Sequence, residues 1–209
     1  DLFSGCNKLK VIDTSNFITK KVKDLNNMFN GCQNVKSLDV SKFDTSLVTD
    51  MSAMFQNCRN LKSLNVSGFN TKNVADMSMM FSACSYISSL DVSNFETNEV
   101  NDMYLMFGGM SLLTSLDVSN FKTSKCEDMS QMFQDDQKLT SLDLSNFDTS
   151  LVTDMNSMFQ YCQKLQINGI EKFNTRKVND MSHMFHSAEA ITSLDLSNFN
   201  AQEVSDFSD

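Results

Sequence analysis

The chain has 209 residues, 41% of them apolar and 21% charged, with a formal charge of −9 and a pI near 4.6. That balance supports a continuous core but argues against nucleic acid and anionic membrane surfaces, which need clustered Lys and Arg. No apolar run approaches the ~20 residues that span a bilayer.

From its first residue the chain writes a 26-residue phrase eight times, without insertion or deletion. Phe3, Phe29, Phe55, Phe81, Phe107, Phe133, Phe159 and Phe185 form one column. Phe17, Phe43, Phe69, Phe95, Phe121, Phe147, Phe173 and Phe199 form a second, and Phe207 is the one Phe outside them. A fixed period of this size predicts a solenoid, one coil per phrase, and one elongated domain over 1–209. Proline is absent, which suits coils whose N–H groups bond to neighbouring coils. The chain starts and stops inside a phrase, Asp1 aligning with Asn27 and Asp209 with His183. It therefore reads as a piece of a longer array, with end-to-end self-association as one outcome.

Within the third coil, Val48, Met51, Met54, Phe55, Cys58 and Leu61 recur mostly at three- and four-residue spacing. This predicts a short helical turn, α or 3-10. Its entry is marked in every coil by an acid: Asp24, Asp50, Asp76, Asp102, Asp128, Asp154, Asp180 and Asp206. The placement fits helix N-caps accepting hydrogen bonds from free N–H groups. A calcium-binding carboxylate ladder is the alternative, disfavoured because the coil lacks the Gly-rich run that wraps an ion. From Leu64 the period changes to two, with Leu64 and Val66 inward and Ser63, Asn65 and Ser67 outward, which predicts a half-buried strand. Phe69 closes the coil. The Thr column that follows, Thr19 to Thr175, reads as turn chemistry in which the side chain bonds nearby backbone.

The two Met columns read as adaptable core filler against the rings. Cys6, Cys32, Cys58, Cys84 and Cys162 share a column and Cys126 sits elsewhere. Neither arrangement has metal-ligand spacing, and buried free thiols are favoured over disulfides. His183 and His186, the only histidines, meet no third ligand column. No catalytic arrangement and no phosphate-binding glycine motif is present, so no enzyme and no cofactor is expected.

The pattern Leu61-x-x-Leu64-x-Val66 resembles the strand segment of leucine-rich repeats. Residues 141–149 (SLDLSNFDT) and 152–159 (VTDMNSMF) are similar to the BspA-like 26-residue repeat of bacterial surface proteins. The resemblance covers essentially the whole chain. It implies a short parallel strand plus a short helical turn per coil. It also implies a secreted or surface-anchored, non-enzymatic protein engaged in adhesion, host-protein binding or contact between cells. The seventh coil departs from the pattern: Ile167 comes one place early, Asn168 falls where Leu142 and Leu194 point inward, and Gly169 replaces Asp. A local bulge is expected there.

Two surfaces are candidates for partner binding. The strand face carries a Ser-x-Asp-x-Ser stripe with Asp39, Asp91, Asp117 and Asp143, suited to a basic or sugar-rich partner, directly or through divalent ions. Near mid-stack, Met79, Tyr86, Tyr104, Leu105 and Leu112 place large apolar groups where other coils are mostly small or polar. They are contact anchors, or else they cover a gap left by Gly108 and Gly109. The expected partner is a protein or glycan on a host or neighbouring cell. The rival reading is a stiff spacer or filament subunit with no specific ligand.

Overall fold

The computed structural model describes residues 1–208. Their backbone winds into a single stack of eight coils in parallel register. Strand β1 (Ser37–Leu38) pairs with β2 (Ser63–Leu64), residue opposite residue 26 places on. Strand β3 (Ser141–Asp143) pairs with β4 (Gln166–Asn168). A second line of parallel bridges joins every Asp of the repeated column, from Asp24↔Asp50 to Asp180↔Asp206.

The core is the set of repeated columns. Each strand leucine points in between exposed neighbours, as Leu142 does between Ser141 and Asp143, so the period of two has its expected meaning. Eight rings of the first Phe column stack face to face. Their centroids are 5.6 Å apart at Phe3–Phe29 and 5.8 Å apart at Phe107–Phe133. Rings of the second column lean on the first, as at Phe55–Phe69, 6.4 Å apart. The methionines preceding the first Phe are buried against this stack from Met28 to Met184. All six cysteines are free, and all but Cys6 are buried. The thiols of Cys58, Cys84 and Cys162 donate to the carbonyls of Phe29, Phe55 and Phe133, one coil back.

The expected helical turn takes another form. Among the described residues the one helix is the 3-10 turn Ile170–Lys172 in the seventh coil. Elsewhere the segment is a chain of tight turns. In the third coil the N–H groups of Met51, Ala53, Phe55 and Asn57 donate forward to the next coil, at Asp76, Ser78, Met80 and Ser82. The alternate N–H groups, of Met54, Gln56 and Cys58, bond back three residues within the coil. This alternation requires left-handed backbone at two places per coil, such as Ala53 at φ 52° and Asn57 at φ 59°. A left-handed residue ends a right-handed helix, at a cost of about 1–2 kcal/mol for a non-glycine. Every second N–H is thereby freed for the neighbouring coil, and the ladder this forms offsets the strain. Spacing by three and four is common to a helix and to this turn chain, so the apolar pattern does not distinguish them.

The seventh coil is corrected in detail. Register there is 25, with Leu142 opposite Ile167 and Asp143 opposite Asn168. Ile167 thus takes the leucine's place, and Asn168 stands outward in the Asp column. The spare residue is taken up by Gly169, at φ 89°, and by the 3-10 turn that returns Ile170 to the core. A Cβ at Gly169 would collide with the backbone of Ser145, so glycine is required there.

Candidate functional site

The Asp column at the turn entry does not cap helices, because no helix follows it among the described residues. Each carboxylate accepts the N–H two residues on, at 2.8 Å for Ser52 on Asp50 and for Ser78 on Asp76, which is an Asx turn. The same holds at Asp24, Asp102, Asp128, Asp154 and Asp180. In Asp50, Asp76 and Asp128 a serine hydroxyl donates to the same oxygen. Asp102 has Tyr104 in that place and keeps only the N–H bond. Partial burial and then the neighbouring carboxylates of Asp76 and Asp128 push Asp102 up to about 6. Among the described residues no three His, Cys, Asp or Glu side chains converge as ligands for a metal ion.

The Thr column has a function that its sequence context concealed. Its side chains from Thr19 to Thr175 are buried and reach the next coil instead of local backbone. The Thr97 hydroxyl accepts the Lys122 N–H at 2.7 Å and donates to the Lys122 carbonyl at 3.0 Å. Thr45, Thr71, Thr123, Thr149 and Thr175 repeat the two-way bond. Two outward surfaces carry the candidate partner-binding residues.

On the strand face, Asp39, Asp91, Asp117 and Asp143 are exposed, one per coil. Each accepts the N–H of the serine two residues on at 3.0 Å. Hydrogen bonds from these serines hold all four carboxyls below the usual carboxylate range. The face is therefore anionic at neutral pH. Two shallow grooves of about 360 and 380 Å³ lie along it, floored by leucines such as Leu90 and Leu116 and sharing Ser89 and Asp91.

On the turn face the apolar departures divide. Tyr86 is 51% exposed. It replaces the asparagine whose amide, in Asn34 and Asn60, bonds a carbonyl of the preceding coil. Leu112, one coil on in the same column, is half-buried. Met79 and Leu105 occupy the left-handed turn position and are also half-buried. Leu105 lies over Gly108 and fills the space its side chain would need. Tyr104 is half-buried, its hydroxyl 3.5 Å from the Gln131 carboxamide oxygen. Leu105 thus packs beside Gly108, while Tyr86 is exposed to solvent.

Sequence reasoning passed over Asp136, which replaces cysteine in the sixth coil. It is fully buried, with one oxygen accepting the Met110 N–H at 2.8 Å and the other without a partner. Burial pushes its carboxyl well above the usual range. Its position in an otherwise mostly apolar column was the available signal.

Parallel coils, a leucine-faced strand and a continuous ring stack define a leucine-rich-repeat solenoid, a repeat scaffold. The family model described as "Mycoplasma protein of unknown function, DUF285" matches residues 1–115, 65–142, 84–169 and 136–209. The chain belongs to this family. Comparison with curated proteins found no match. Among solved structures it is similar to a leucine-rich repeat protein from Eubacterium ventriosum ATCC 27560, at 18% identity and TM-score 0.41, covering 72% of this chain and 43% of that one. A TLR13–ssRNA13 complex matches at 17% identity and TM-score 0.40, over 82% of this chain and 26% of that one. A leucine rich cell surface protein from Faecalibacterium prausnitzii A2-165 matches at 14% and 0.25, over 92% and 65%. The chain thus spans less than half of the first of these proteins. The fold assignment rests on the coil geometry and the family match.

Proposed function

We propose that this chain is a non-enzymatic binding scaffold at the cell surface, contacting a protein or glycan of a host or neighbouring cell. The observation that carries the reading is the division of labour within each coil. The Phe and Met columns and the strand leucines are buried in the core, the Thr column bonds the next coil, and the outward groups include a grooved anionic strand face and the exposed ring of Tyr86. Repeat scaffolds use such surfaces for multivalent contact. A basic or polyhydroxylated partner suits the ionised Asp91, Asp117 and Asp143.

The test is a binding screen of the chain against extracellular-matrix proteins and glycans, with calcium and with EDTA. Saturable binding lost in Asp91→Asn/Asp117→Asn, or in Tyr86→Ala, at unchanged melting temperature supports the reading and locates the contact. A panel without any hit counts against it. The second reading, a stiff spacer, is favoured by the ring stack that runs unbroken from Phe3 to Phe185. It predicts a rod-like scattering profile and no saturable ligand.

A further inference from the structure

We propose that Asn168–Gly169 is a site of spontaneous covalent modification, deamidation through a cyclic imide, which adds a carboxylate to the strand face. The chain contains two Asn-Gly pairs, Asn30–Gly31 and Asn168–Gly169, and the fold treats them oppositely. The reaction needs the glycine amide nitrogen free to attack the asparagine side chain. At the first pair the Gly31 N–H is committed to the Gln56 carbonyl of the next coil at 2.8 Å. The Asn30 carboxamide is also held twice, by Asn27 and Gln56. At the second pair the Gly169 N–H donates to no group among the described residues. Asn168 is exposed, and its carboxamide has a single partner, Asp143, at 3.1 Å. Glycine is obligatory at 169 because of the close Ser145 backbone, and residue 169 is itself buried, so attack by its nitrogen waits on local opening.

In the reaction the Gly169 nitrogen bonds to Cγ of Asn168 and loses its proton. The bond from Cγ to the side-chain nitrogen breaks and ammonia leaves. Water then opens the imide at either carbonyl, giving aspartate or isoaspartate at position 168. No oxidant, metal or cofactor enters. Ring closure requires rotation at Asn168, which breaks the Leu144 N–H bond to its carbonyl at 2.9 Å. The rate is therefore set by local opening of the β3–β4 pair. The aspartate product replaces an amide donor to Asp143 with a second carboxylate, so attraction across β3–β4 becomes like-charge repulsion. The isoaspartate product also lengthens the backbone within β4.

The experiment is incubation of the intact chain at physiological temperature and mildly alkaline pH in heavy-oxygen water, followed by peptide mapping. Label and the amide-to-acid mass gain are expected at 168 at least about tenfold faster than at 30, the ratio that ~1.4 kcal/mol of opening free energy supports. In denaturant the two sites are expected to converge. Equal rates in the folded chain, or a ratio that persists in denaturant, would overturn the proposal. Asn168→Asp, made directly, should lower the melting temperature at neutral pH and recover it in acid. An unchanged melting temperature would remove the proposed consequence for β3–β4.

Discussion

Asp136 shows how much one side chain can matter in a repeat. It occupies a position where Cys58, Cys84 and Cys162 donate a thiol to a carbonyl one coil back. An ionised carboxylate has no proton to donate, and its second oxygen is left buried without a partner. With the folded-state value raised, folding takes up a proton. The stability this group contributes is complete below about pH 4, the unfolded Asp value, and is lost as pH rises through the folded value. Asp136→Asn keeps an oxygen for the Met110 N–H and cannot ionise. It should stabilise the chain by about 1–3 kcal/mol at neutral pH. Thermal melts across pH check this: the gain over the parent should vanish below about pH 4. A gain independent of pH would mean that ionisation is not the cause.

At the element scale the turn segment and the Thr corner make opposite demands. Gly5, Gly31 and Gly109 share a left-handed column with Asn57, Ala83, Asp135, Tyr161 and Ser187. Were the segment a helix, Ala83→Gly would cost about 1 kcal/mol. At φ 55° the same change relieves strain and should be neutral or stabilising by up to about 1 kcal/mol. The sign of the change in denaturation midpoint decides between the two backbones. Thr97→Val keeps the shape of the side chain and removes its hydroxyl, leaving both the N–H and the carbonyl of Lys122 unpaired in a buried corner. A loss of about 1–3 kcal/mol is expected, and a value near zero would show that water reaches the corner. The apolar spacing of both segments was legible in the sequence. Their hydrogen-bond partners were not, because these lie 25 residues away and local pattern carries no information about the next coil.

For the whole molecule, stability is a sum of coil-to-coil interfaces. The thiols report on it along the stack. Cys6 is half-buried in the first coil, while Cys32, Cys58, Cys84, Cys126 and Cys162 are buried. Burial pushes Cys32 up to about 11 and Cys58 up to about 12, which suppresses the reactive thiolate. In native buffer a thiol reagent should label Cys6 first and leave the other five slow, with all six reacting in denaturant. Fast labelling of Cys84 in the native chain would contradict the packing described. Peptide mapping of labelled sites with time would show whether opening proceeds coil by coil or all at once.

The 26-residue period, the inward leucines and the two Phe columns were determined by the sequence alone, because burying a repeated apolar set leaves a stack of identical coils as the simplest solution. The anionic strand face was equally legible, since alternation sends every second side chain outward. Tertiary structure alone decided three things: left-handed turns in place of a helix, the threonine clasp in place of a local turn, and Asn168 in the acidic column in place of the core. Each depends on which atom of the adjacent coil lies within hydrogen-bonding distance, and that is set by the register of the stack, which in the seventh coil is 25 and not 26.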